Sequence, residues 1–198
     1  MDAVRQVSCS DRAALARETA RFVADALASH PGRFVALAVG DSTLPLYAGL
    51  DAIGPAWAGR SIMPVDELVP TPADPDRRFS ARLAAALPGE LRRRLIPIEV
   101  EGDPQLRAIA LDAPARVVDL APGNLARLGP VEPARSALTL GVTTILAAGA
   151  VLVVASGPGK AEALDRLVHG PGDPAWPVTW LRRHPRLTVA IGPGVVSP

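Results

Sequence analysis

Cysteine and lysine are almost missing from this chain. Cys9 is the single cysteine in 198 residues. That excludes an internal disulfide and any zinc site built on paired thiolates. Near the N-terminus, Cys9 reads as a small half-buried side chain rather than a nucleophile. Lysine occurs once, at position 160, against twenty arginines. Acids and bases nearly balance, for a formal net charge of +1. There is no basic block and no aromatic–basic interleaving, so no nucleic-acid partner is expected. The densest run, Arg92-Arg93-Arg94, reads as the solvated end of a helix. The three histidines, His30, His169 and His184, fall in no metal-ligand spacing, and no metal is expected. All three read as structural, His30 as an imidazolium at a helix end. No Gly-x-Ser-x-Gly nucleophile elbow is present. From Ser136 to Gly159 charge disappears altogether, over a length that could span a bilayer on paper. Gly141, Thr143, Thr144 and Gly149 interrupt it, and it reads as strand, short helix, strand, so no membrane partner is expected. Asp2 and Arg5 without an apolar core do not make a secretory signal, and a cytoplasmic location is expected by default.

What is present is a rhythm of apolar strands and amphipathic helices. Hydrophobic residues make up 48%, enough for a buried core. Asp11 caps an expected helix through about Ser29, with Leu15, Phe22, Val23, Ala26 and Leu27 on one face. Phe34 to Val39 is a continuous apolar strand of the kind covered on both faces. A helix from Thr43 to about Ile53, a strand at Ser61–Val65 and a helix near Asp76–Leu87 follow. Further strands are expected at Leu95–Val100 and Arg116–Leu120, with a short helix at Leu106–Leu111 between them. The last third repeats the alternation: strand Ala137–Leu140, helix Thr143–Ala148, strand Ala150–Ala155, helix Lys160–His169, helix Val178–Arg183, strand Leu187–Ile191. Alternating strands and helices imply an α/β fold with a mostly parallel sheet and right-handed crossovers. Prolines are scattered and no linker divides the chain, so residues 1–198 are expected to form one domain.

In such sheets ligands bind at the carboxyl ends of the strands. Four candidate segments follow strands: Gly40-Asp41-Ser42-Thr43, Asp66-Glu67, the Pro122-Gly123-Asn124 loop, and Gly157-Pro158-Gly159-Lys160. The first offers a tight turn with hydroxyls and free helix-start amides, which suits a phosphate. It equally suits a plain helix cap, and Asp41 beside an anion is unfavourable unless it points away. Lys160, a compact charge at a strand-to-helix turn, could meet a phosphate or lie in solvent. A nucleotide P-loop is rejected, because Val154 and Ala161 replace the required glycine and hydroxyl. Asp66 and Glu67 are paired carboxylates that could serve as a general base or as an acidic helix start.

Taken in order, these segments resemble the glucosamine-6-phosphate deaminase / 6-phosphogluconolactonase family. Val39-Gly40-Asp41-Ser42-Thr43-Leu44-Pro45-Leu46-Tyr47 is similar to its Gly-Ser-Thr-Pro turn and following tyrosine. Val65-Asp66-Glu67-Leu68-Val69-Pro70 is similar to its Asp-Glu segment, Leu138-Thr139-Leu140 to its Leu-Thr-Leu strand, and Gly157-Pro158-Gly159-Lys160-Ala161 to its Gly-x-x-Lys-Ala turn. Trp176-Pro177 and His184-Pro185 echo its closing motifs. The resemblance implies a Rossmann-like three-layer αβα sheet, shared with ribose-5-phosphate isomerase and coenzyme A transferases. It implies a small-molecule phosphorylated sugar as partner. Gly40, Ser42, Thr43 and Lys160 would hold the phosphate, with Asp41 and Asn124 also at the substrate. Asp66 would stand at the proton-shuttling acid, with Glu67 beside it, and no cofactor would be required. The chain departs from the family where an Asp-Gly-His signature should follow Leu120. It has Ala121-Pro122-Gly123-Asn124 instead, and Leu68 replaces an arginine or tyrosine. The expectation is therefore hydrolysis or isomerisation of a phosphorylated sugar or lactone. A catalytically silent binding or scaffold protein is the alternative, and a homo-oligomer is left open.

Overall fold

The structure is a computed structural model and describes residues 4–69, 72–98, 115–119 and 136–195. Its first helix follows from a cap. The Asp11 carboxylate accepts the Ala14 N–H at 2.7 Å and starts α1 (Arg12–Ser29). Leu15, Thr19, Val23 and Leu27, four residues apart, form its buried stripe, while Phe22 and Ala26 flank it half-buried.

Three parallel strands form the first sheet in the order β1–β8–β7: β1 (Arg5–Ser8), β8 (Leu187–Ile191) and β7 (Val151–Ala155). Arg5 pairs with Thr188, and Val151 with Leu187. A second parallel pair joins β2 (Phe34–Leu37) to β3 (Ser61–Pro64), with Phe34 opposite Ser61. The long crossover between them is a run of 3-10 turns, Leu44–Trp57, in place of the expected α-helix. Pro45 near its start, Gly54 at φ +62° and Pro55 explain the difference. This segment packs on α1, and Val23, Leu27, Tyr47, Leu50 and Trp57 share one core.

Two features differ from the sequence pattern. The strand β1 was not anticipated; it is short and half-exposed, with little periodicity to read, and its partner β8 holds it. The second difference sets the site. After β3, Val65 donates its N–H to Leu37 O at 3.1 Å and accepts from Leu140 N–H at 3.0 Å. There the chain exchanges a parallel neighbour for an antiparallel one. It continues as β4 (Asp66–Val69), paired antiparallel with β6 (Ser136–Leu140), which in turn pairs antiparallel with β5 (Ala115–Asp119). Asp66 therefore opens a strand rather than lying in a loop after one. The fold is α/β and Rossmann-like, with an antiparallel three-stranded sheet beside the parallel strands.

The expected helix at 76–87 is divided into a 3-10 turn, Pro75–Arg77, and α2 (Phe79–Ala86). A single turn, α3 (Gly89–Arg92), follows. Of the strand expected at 95–100, Leu95 bridges to Ile62 and Ile96 N–H reaches Ile62 O at 2.8 Å. Pro97 lacks the N–H to continue that ladder, and residues 99–114 lie outside the described segments, the helix expected at 106–111 included. The remaining helices are α4 (Val142–Leu146) and α5 (Ala161–His169), with a 3-10 helix at Pro177–Arg183. Among the described residues no helix is long and apolar enough to cross a membrane.

Candidate functional site

The turn after β2 is braced from within. Thr43 and Leu44 donate their N–H groups to Gly40 O at 3.0 and 2.9 Å. The Thr43 hydroxyl donates to Ala38 O at 2.9 Å and accepts the Gly40 N–H at 3.3 Å. The Tyr47 hydroxyl donates to the same Ala38 carbonyl at 2.8 Å. Burial pushes the Tyr47 phenol up to about 12, so it stays a donor. Thr43 and Tyr47 thus hold the bend, which leaves Ser42 to face outward.

The turn after β7 needs its glycines. Gly157 and Gly159 adopt φ of +84° and +77°, a left-handed backbone that side chains resist. Gly157 also donates its N–H to Pro193 O at 2.9 Å, and a side chain on Gly194 would come within 3.2 Å of Gly157 Cα. Lys160 then begins α5 without capping it. Among the described residues its ammonium has no ion-pair or hydrogen-bond partner.

These two turns meet. The Ser42 hydroxyl donates to Ser156 O at 3.0 Å, across 114 positions of sequence. Both turns line one cavity of about 1010 Å³, together with Asp66. Gly40, Asp41, Ser42, Thr43 and Lys160 are all on its wall. So are Arg12, Arg77 and Arg82, which the sequence reading did not single out. Arg12 starts the helix behind the unanticipated β1. Arg77 and Arg82 are two of twenty arginines, and carry no contrast of the kind that marked Lys160. Four cations against Asp41, Asp66 and Asp76 make a wall suited to a small anion.

Asp66 and Glu67 lie on opposite sides of β4, as successive strand residues must. Asp66 faces the cavity. Burial pushes its carboxyl up to about 6, and the neighbouring Glu67 charge pushes the same way. It is ionised at neutral pH yet basic enough to accept a proton. Glu67 is fully buried. Its carboxylate accepts the Leu68 N–H at 3.0 Å, the Phe79 N–H at 2.8 Å and the Ser80 N–H at 2.8 Å. Phe79 and Ser80 are the first residues of α2. The catalytic expectation for Glu67 is therefore corrected: it is the anchor that fastens α2 to β4. A negative group belongs at a helix start, where free N–H groups converge.

Asp41 stands 3.7 Å from the Arg82 guanidinium. Asn124 lies outside the described residues, as does the rest of 120–135. Two histidines are engaged away from the cavity. His184 Nε2 donates to Ala148 O at 2.7 Å, and its Nδ1 accepts the Arg186 N–H at 3.0 Å. His30 Nδ1 donates to Ala26 O at 3.1 Å. Its Nε2 lies 2.6 Å from the Arg186 guanidinium, which can only donate. Among the described residues no histidine lines the cavity and no cluster of side chains is arranged for a metal. Cys9 is half-buried and its thiol is pushed up by burial, which weakens it as a nucleophile.

No protein-family model matches the chain. It is 37% identical over 91 residues to a glucosamine-6-phosphate deaminase of Rhodopirellula baltica, a match covering 43% of this chain and 36% of that protein. It is 45% identical over 60 residues to a glucosamine-6-phosphate deaminase of Beutenbergia cavernae, covering 30% of this chain and 23% of the relative. These matches thus span about a third or less of the curated relatives. Solved structures match over far more. A monomeric glucosamine-6-phosphate deaminase superposes with a TM-score of 0.79 at 19% identity, covering 96% of this chain and 97% of that one. The 6-phosphogluconolactonase from Trypanosoma cruzi superposes with a TM-score of 0.70 at 16% identity, covering 96% and 94%. Over one segment the chain is thus similar in sequence to glucosamine-6-phosphate deaminases, and over nearly its full length it shares the fold of a glucosamine-6-phosphate deaminase and of 6-phosphogluconolactonases.

Proposed function

We propose that this protein binds a phosphorylated sugar at the strand ends and moves a proton on it, with Asp66 as the base. One observation carries the reading. A single cavity holds both the meeting point of the Ser42 and Lys160 turns and a carboxyl raised to about 6. The phosphate would lie between the Lys160 ammonium, the Ser42 hydroxyl, which would turn its one proton from Ser156 O to the phosphate, and the first N–H groups of α5. The sugar would then extend along the cavity toward Asp66. Above pH 6 the ionised Asp66 accepts a proton, either from a carbon beside a carbonyl or from a water adding to a lactone carbonyl. Cationic side chains on the wall stabilise the negative oxygen that forms in either case. The sequence relatives are named as deaminases, which supports the carbon-acid reaction of an amino-sugar phosphate. The lactonases among the structural neighbours support hydrolysis as its nearest variant.

A second reading, a phosphosugar-binding protein without turnover, is favoured by one observation: among the described residues no histidine reaches the cavity. Two measurements on the full chain separate the readings. Thermal shift with glucosamine 6-phosphate and 6-phosphogluconate tests the cavity, since a ligand at 100 times its Kd adds about 2.7 kcal/mol. Turnover of glucosamine 6-phosphate and of 6-phosphogluconolactone, wild type against Asp66→Asn, tests the base. Stabilisation lost in Lys160→Ala and turnover lost in Asp66→Asn are the expected results. Stabilisation without turnover establishes the binding protein. No stabilisation by either phosphosugar rejects both.

A further inference from the structure

We infer that Arg82 is a third ligand of the anion held by the Ser42 and Lys160 turns, and that Asp41 is its resident placeholder. The inference rests on the phosphosugar reading above and adds a residue that no local motif marks. Arg82 belongs to α2, whose start is pinned to β4 by two hydrogen bonds to Glu67, so the origin of the arginine is fixed. From there its guanidinium lines the cavity and stops 3.7 Å from the Asp41 carboxylate. Asp41 is the residue between Gly40 and Ser42, and Ser42 is the residue that touches Ser156. Arg82 therefore reaches the phosphate turn from α2, an element separate from the β7–α5 turn that carries Lys160.

The Asp41–Arg82 pair is built to exchange. Its separation exceeds hydrogen-bond length. The Arg82 and Asp41 side chains are 37% and 68% exposed, a setting in which ion pairs contribute little. A phosphate offers two oxygens to the planar guanidinium fork and carries more charge than a carboxylate. On binding it takes over Arg82 and leaves Asp41 to turn to solvent. This resolves an oddity of the sequence, an aspartate inside an anion-binding turn. Until an anion arrives, the Asp41 carboxylate is an ion-pair partner of the Arg82 guanidinium. A ligand must outcompete a carboxylate for the guanidinium, which the bidentate, more highly charged phosphate does better than a second carboxylate.

The test is calorimetric titration of the full chain with inorganic phosphate at fixed ionic strength, repeated with acetate. Arg82→Gln is expected to weaken phosphate binding about ten- to hundredfold, the loss of one charge-assisted contact. Arg82→Lys should lose less, because it keeps the charge without the fork. Asp41→Asn should tighten phosphate, a gain that a damaged fold does not produce. If Lys160→Ala weakens binding while Arg82→Gln and Asp41→Asn both match wild type, Arg82 is no ligand and the inference falls with the phosphosugar reading intact. If wild type binds no phosphate at all, that reading falls and this inference with it.

Discussion

Replacing Asp66 by asparagine should make the protein more stable at neutral pH and much less so in acid. The Asp66 carboxyl is raised from an ordinary 3.8 to about 6, chiefly by burial. A group whose folded pKa lies above its unfolded value favours the fold when protonated. That contribution is whole below the unfolded value and is lost as pH rises through the folded one. A difference of about two units corresponds to about 3 kcal/mol at pH 7.5, falling to about 0.5 kcal/mol at pH 4. Asparagine carries no charge at either pH and escapes the penalty. For a chain of 198 residues the neutral-pH gain corresponds to roughly 6–12 °C in Tm. The assay is thermal unfolding of wild type and Asp66→Asn at pH 4 and pH 7.5, with turnover measured on the same samples. Stabilisation at pH 7.5 alone, with turnover lost, is the signature of a charged base held in an unfavourable place for function. Equal Tm at pH 7.5, or the same gain at both pH values, would refute the reasoning, since a buried ionised carboxylate must give a pH-dependent difference.

Glu67→Gln should cost about 2–4 kcal/mol, because the amide keeps one acceptor but turns an N–H toward N–H groups that the carboxylate now satisfies. Urea unfolding measures the loss, and faster amide exchange at Phe79 and Ser80 locates it. Ser42→Ala removes the hydrogen bond that joins the two turns. It should cost about 1 kcal/mol of stability and weaken phosphosugar binding, both read by thermal shift with and without glucosamine 6-phosphate.

The interplay of Asp66 and Glu67 shows where sequence reading reaches its limit. Both were legible as carboxylates at a strand end. The strand alternation that separates their duties became visible only once β4 was paired with β6. One residue then faced the cavity and its neighbour the N-terminus of α2, a helix whose expected start was three residues early. Lys160 was legible because it is unique. Arg82 was not, because nothing local distinguishes one arginine from nineteen others. The resemblance of the motifs to a family of phosphosugar proteins survives comparison at the level of fold, and the order of the segments carried it.

Local chemistry was enough to settle the elements that depend on neighbours in the chain. The Asp11 cap, the four-residue stripe of α1, the apolar run of β7 and the glycines of the 157–159 turn all obey rules that operate within a few residues. Contacts between distant segments obey no such rules. The Ser42–Ser156 bond, the Asp41–Arg82 pair and the anchoring of α2 by Glu67 each join positions that are neighbours only after the strands have paired. A cavity is made of such contacts, so its outline belonged to the folded chain, while the residues able to hold an anion could already be named.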